Sequence, residues 1–199
     1  MQPYKLSFTA ASLMLVESVK VAGVYLGNRD WNASREILIN NNLLRSRTMS
    51  RTKRIIQELV LRLSVLSEDQ LTGLVEGSLE EQRLLLWFMV CKTYNFIRDF
   101  STEVLHERFL TMQRFLTEED YFAFYLHKLD EHPELEEITD STRTKLRTQV
   151  FRMLREAGLI NSANLIIRVL PTSRLIQTLR EDMNIASRIY PAFPKDFEV

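Results

Sequence analysis

DSTRTKLRTQVFRMLREAGLI, residues 140–160, carries helix signals at both ends and an amphipathic pattern between them. Asp140, Ser141 and Thr142 offer side-chain oxygens to the unpaired N–H groups of a first turn, and Gly158 suits the left-handed residue that follows a last turn. At about 100° per residue, Leu146, Val150, Met153, Leu154 and Ala157 form one stripe, while Lys145, Thr148, Gln149, Arg152 and Arg155 fall opposite. One face packs and the other presents cations and amides, which suits a nucleic-acid backbone better than catalysis.

Downstream, Leu159-Ile160, the polar turn NSAN and the β-branched stretch 165–170 predict two short strands around a turn, the order of a winged helix. Ser173 is placed to cap a last helix reaching about Met183, and the tail PAFPKDFEV reads as irregular. Upstream, the patterns predict a helix over 9–26 closed by Gly27-Asn28, and a short one over 31–39 capped by Asp30. A turn at Asn40, Asn41 and Asn42 follows, and then a long basic helix over 51–66 capped by Ser50. A short helix, a polar turn and a basic helix make a helix-turn-helix, although two helices of any bundle can share that pattern.

SEDQ at 67–70 and SLEE at 78–81 are capping boxes, opening helices over 68–75 and 79–97. The second is apolar almost all round at 84–91 and should be the buried central helix. Ser101 and Thr117 are placed to cap two more, and His132-Pro133 interrupts the pattern before the opening stretch. The expected fold is mainly α: a multi-helix protein with helix-turn-helix and winged-helix-like elements and one short C-terminal β-hairpin. The expected division is an N-terminal helical lobe at 1–72 and a C-terminal lobe at 73–199.

The chain of 199 residues is 45% hydrophobic and has five Gly and five Pro, a composition poor in turns and typical of a globular protein. The single cysteine, Cys91, lies within LLLWFMVC, where it reads as a small buried hydrophobe, so no internal disulfide is possible and a cytoplasmic location is expected. The longest apolar run, 84–91, falls far short of the roughly 20 residues of a membrane span. No secretory signal is expected either, because Glu17 and Lys20 interrupt the N-terminal apolar segment.

No glycine-rich phosphate loop, nucleophile elbow or zinc-helix motif occurs, and His106, His127 and His132 have no metal-ligand spacing. No catalytic residue, cofactor or metal is therefore expected. Lys plus Arg balances Asp plus Glu at 26 each, yet the charges are segregated. Arg45, Arg47, Arg51, Lys53, Arg54 and Arg62 face only Glu58 in their segment, whereas residues 117–140 hold nine acids against Lys128. Such blocks create a directional field, or else lie as solvated faces beside one another. Arg45, Arg47, Arg51, Lys53 and Arg54 form one candidate phosphate-contacting patch. Lys145, Gln149, Arg152 and Arg155 form the second, with Arg143 and Arg147 nearer the apolar stripe and suited to pairing with acids.

ESVKVAGVYL (17–26), DW (30–31), NNLLRSRTMSRTKRIIQEL (41–59), LVEGSLEEQRLLLW (74–87), YNFIRDFSTEVLHERFL (94–110) and the opening stretch together resemble the BrxA family. The likeness spans nearly the whole chain in the same order. BrxA proteins belong to bacteriophage exclusion (BREX) systems, so the resemblance implies a cytoplasmic, non-enzymatic, double-stranded-DNA-binding component working beside other BREX proteins. It transfers no catalytic motif, and the basic positions named above rest on helix geometry and charge. Two alternatives stay open: an adaptor that docks other defence proteins through its acidic stretch, and an RNA-binding protein like the NusB antitermination fold.

Overall fold

In the computed structural model, which describes residues 3–44 and 47–198, a 3-10 turn at Ser7–Ala10 leads into an extended strap before the first helix. That helix, α1 (Leu15–Asn28), begins later than the sequence pattern places it, because Met14 adopts the left-handed region at φ 53°. Asp30 caps α2 (Trp31–Asn40) by accepting from the amides of Asn32 and Ala33. The next helix, α3 (Met49–Leu63), is capped by Thr48 and not by Ser50, which lies inside its first turn.

Both capping boxes form as read. Ser67 and Gln70 open α4 (Glu68–Glu76), and Ser78 and Glu81 open α5 (Leu79–Thr93). Every residue of α5 from Leu84 to Cys91 is at most 4% exposed, and this helix is the centre of the core. It ends short of Ile97 because Tyr94 is extended, its buried side chain hydrogen-bonding Glu58 on α3. From there α6 (Asn95–Phe100) runs through a π-helical turn, Ser101–His106, into α7 (Glu107–Leu110) without a break. Ser101 is therefore not a cap. It is buried in the middle of the run, donating to the Ile97 carbonyl at 2.6 Å.

Thr117 and Asp120 form the box that opens α8 (Glu118–Leu129), and Pro133 starts a single 3-10 turn, Pro133–Leu135. In α9 (Asp140–Glu156) the capping oxygen belongs to Thr139, one residue before the three the sequence offered. Its C-terminus closes as expected: Gly158 is left-handed at φ 77°, with Leu159 N–H donating to the Leu154 carbonyl and Gly158 N–H to that of Arg155.

No β-strand forms among the described residues. Where a hairpin was expected, two isolated antiparallel bridges occur, Ile160 with Ile166 and Phe115 with Leu165. The Asn161 side chain accepts from the amides of Ala163 and Leu165, Asn164 turns left-handed, and the Ile166 amide is taken by Arg114. These competing partners limit the ladder. Thr172, one residue before Ser173, then caps α10 (Ser173–Leu179), and a 3-10 turn leads to α11 (Met183–Ile189). The tail is ordered by packing: Tyr190, Ala192 and Phe197 are buried, and the Tyr190 hydroxyl donates to the Leu84 carbonyl at 2.8 Å.

The molecule is mainly helical. Buried apolar side chains from Tyr4 to Phe197 form one continuous cluster. The strap crosses this cluster between α3 and α9, and its anchoring shapes the candidate site.

Candidate nucleic-acid interface

Leu13 of the strap is buried in the core, and polar anchors hold the backbone of residues 11–13 beside it. Arg62, one turn from Leu59 on the same face of α3, is 0% exposed. Its two terminal nitrogens donate to the carbonyls of Ser12 at 2.6 Å and Ala11 at 3.0 Å, while Nε pairs with Glu58 at 2.8 Å. The guanidinium also stacks over Tyr94, 5.5 Å from the ring centre. From the other side, Glu156 of α9 accepts the Leu13 amide at 2.9 Å. The strap is thus tied to both basic helices.

Fixing the strap creates a groove of about 760 Å3, walled by Ser12 and Met14 and carrying Arg51, Arg54 and Arg152. The helical spacing of three places Arg51 and Arg54 on one side of α3, within its first two turns. Arg152 arrives from α9, held by an ion pair to Glu156 at 2.9 Å that leaves its side chain 61% exposed. Arginines a hundred residues apart in sequence therefore meet on one concave surface. Glu17, in the first turn of α1, is the acid in the lining. Arg51 and Arg54 form no ion pair among the described residues, so two of the three cations reach the groove unneutralised.

The other sequence-predicted residues are distributed around this groove. Arg45 lies outside the described residues. Arg47 and Lys53 are exposed at the N-terminal end of α3, and Lys145 is exposed on α9, none of them in the groove lining. Gln149 is half-buried, and its amide nitrogen has no partner among the described residues. Arg155 turns away, donating to Asn164 at 2.6 Å in the 161–164 turn and lying over Phe151. Arg143 and Arg147, read as packing residues, pair with Asp140 at 3.4 Å and Glu118 at 2.8 Å.

Sequence reasoning missed the strap and its clamp. Residues 9–14 read as helix, and Arg62 as one more cation of a basic block, although its place within the apolar stripe of α3 was a signal of burial. No group of three or more metal-ligating side chains occurs among the described residues. The Cys91 thiol is fully buried, and desolvation pushes its pKa up to about 12, which makes it a poor nucleophile. No described helix is long and apolar enough to cross a membrane.

A crystal structure of an uncharacterized protein from Magnetospirillum magneticum shares this fold, with a TM-score of 0.82 over 96% of this chain and 100% of that chain at 22% identity. Among curated relatives, the BREX protein BrxA of Bacillus cereus is 26% identical across 81% of this chain and 80% of its own length. The BREX protein BrxA of Escherichia coli is also 26% identical, across 75% of this chain and 70% of its own. The profile of the BrxA family matches residues 2–183. The chain belongs to the BrxA family.

Proposed function

We propose that this protein is a non-enzymatic, cytoplasmic DNA-binding component of a BREX phage-resistance complex. The observation that carries the reading is the convergence of Arg51 and Arg54 from α3 with Arg152 from α9 on one open groove. Guanidinium groups grip phosphate oxygens in a forked geometry, and helix-borne arginines with exposed ends can follow a phosphodiester ridge. In this reading α2 and α3 act as the helix-turn-helix pair, α3 leading with its basic N-terminal turns. Lys145, two turns before Arg152 on the same face of α9, extends the track, while Arg155 is tied to the 161–164 turn, which stands where a wing would.

Affinity then comes mainly from phosphate neutralisation, for which log K falls by about 0.9 per contacted phosphate for each tenfold rise in salt. Fluorescence anisotropy of the full chain with labelled duplex DNA across a salt series tests this. The expected result is tight, steeply salt-dependent binding, with matched RNA duplex and single strands competing poorly. Preferential binding of RNA would favour the NusB-like alternative.

A second reading, an adaptor within the complex, draws on α8, whose outer face exposes Phe122 at 43% and Leu126 at 60% next to Glu118 and Glu119. Co-purification with another BREX protein, lost in Leu126→Glu while DNA binding is kept, is its expected signature.

A further inference from the structure

Two acids stand at the arginine groove, and they are held differently. Glu17 lines it and makes no ion pair among the described residues. Glu156 is outside the lining, one helical turn behind Arg152 on α9, and both of its carboxylate oxygens are engaged. Oε2 accepts the Leu13 amide at 2.9 Å, and Oε1 accepts the Nε–H of Arg152 at 2.9 Å.

An i,i+4 pair on a helix surface ordinarily restrains neither partner much, because both side chains are mobile. This pair differs at the acid. Leu13 is 2% exposed, and the strap that carries it is tied to α3 by the donations of Arg62 to Ser12 and Ala11. The Glu156 side chain is itself only 33% exposed. A backbone amide anchored in the core therefore fixes the carboxylate, and the carboxylate fixes the arginine. Arg152 receives that restraint at Nε alone, and its terminal nitrogens have no hydrogen-bond partner among the described residues. The forked edge that suits a phosphate is left free.

The geometry points to Glu156 as a positioning residue for DNA: an acid that strengthens binding of a polyanion by holding Arg152 ready in the groove. The inference rests on the DNA reading of that groove. By charge alone, either acid repels the duplex, and removing either should help. Positioning reverses the sign for Glu156, because a mobile arginine loses side-chain freedom on meeting a phosphate and one already held does not.

The test is fluorescence anisotropy of the full chain with labelled duplex DNA, comparing Glu17→Gln with Glu156→Gln, the same change of charge at the same groove. Glu17→Gln should tighten binding about twofold, as loss of a simple counter-charge. Glu156→Gln keeps one acceptor for the Leu13 amide but turns the second oxygen into an NH2 group. It should weaken binding about threefold to tenfold, the range for one long side chain left to be ordered on contact. Repeating the substitution in an Arg152→Gln background separates positioning from damage to the strap. A residue that acts through Arg152 has no further effect there, whereas a disturbed strap weakens binding in both backgrounds. Without DNA, the Arg152 Nε–H resonance in NMR should shift in Glu156→Gln and stay in place in Glu17→Gln. Unchanged or tighter binding in Glu156→Gln, or equal weakening in both backgrounds, overturns the positioning role and leaves the DNA reading standing. A parent chain that binds no duplex overturns both.

Discussion

At the start of α3, Arg51 and Arg54 are exposed, make no ion pair among the described residues and border an open groove. Two turns beyond Arg54 on the same helix, Arg62 is completely buried and spends its donors on Glu58, Ala11 and Ser12. One helix thus uses arginine as a free cation at one end and as a structural clamp at the other. α9 repeats the division: Arg143 and Arg147 are matched to acids and aromatic faces, while Arg152 reaches the groove. Net charge along a segment does not distinguish these roles; burial and partner atoms do.

The comparison breaks most visibly at the clamp. Arg62→Met should cost about 3 kcal/mol, because it strips the Glu58 carboxylate and two strap carbonyls of their donor. Urea unfolding reads this as a large fall in midpoint. The groove variant Arg51→Gln, Arg54→Gln, Arg152→Gln should lie at the opposite pole, changing stability by about 1 kcal/mol or less, mostly through the half-exposed Arg152–Glu156 pair.

Gly158→Ala forces a Cβ into φ 77° where nothing else obstructs it, and so should cost about 1 kcal/mol by conformational strain alone. It should lower the melting temperature with little effect on DNA binding, separating the integrity of α9 from its charge. The smallest effect concerns Glu81, whose carboxyl is held below its ordinary 4.5 chiefly by the Thr172 hydroxyl, against desolvation and with help from Ser78. A depressed folded-state pKa contributes stability above pH 4.5 that is lost as pH falls through the folded value. Glu81→Gln should therefore flatten the acid limb of the stability profile below pH 4.5, measured by unfolding across pH.

Local features were legible and tertiary ones were not. The boxes at Ser67/Gln70 and Ser78/Glu81 were readable because both partners lie three residues apart, whereas of the third, Thr117/Asp120, only the Thr117 cap was read. Thr48, Thr139 and Thr172 were displaced by neighbouring Ser, Thr or Asp oxygens, among which sequence gives no ranking. The β-branched stretch at 165–170 has the composition of a strand, yet Leu165 and Ile166 are shared with Arg114–Leu116, a partner some fifty residues away. Of the candidate site, the cationic residues of α3 and α9 were visible as patterns. Their meeting was not, because it depends on a strap that looked helical and on a clamp, Arg62, that looked exposed.

The central claim is that position in the groove, not total positive charge, governs DNA binding. Its most direct test compares duplex affinity and salt slope in two triple variants of equal charge change: Arg51→Gln/Arg54→Gln/Arg152→Gln, and Arg83→Gln/Arg114→Gln/Arg180→Gln, exposed arginines outside the groove. The groove variant should lose up to about 2.7 units of the slope of log K against log salt, with a matching loss of affinity, while the second stays near the parent protein. Equal effects in both variants, or no effect in the groove variant, would contradict the account.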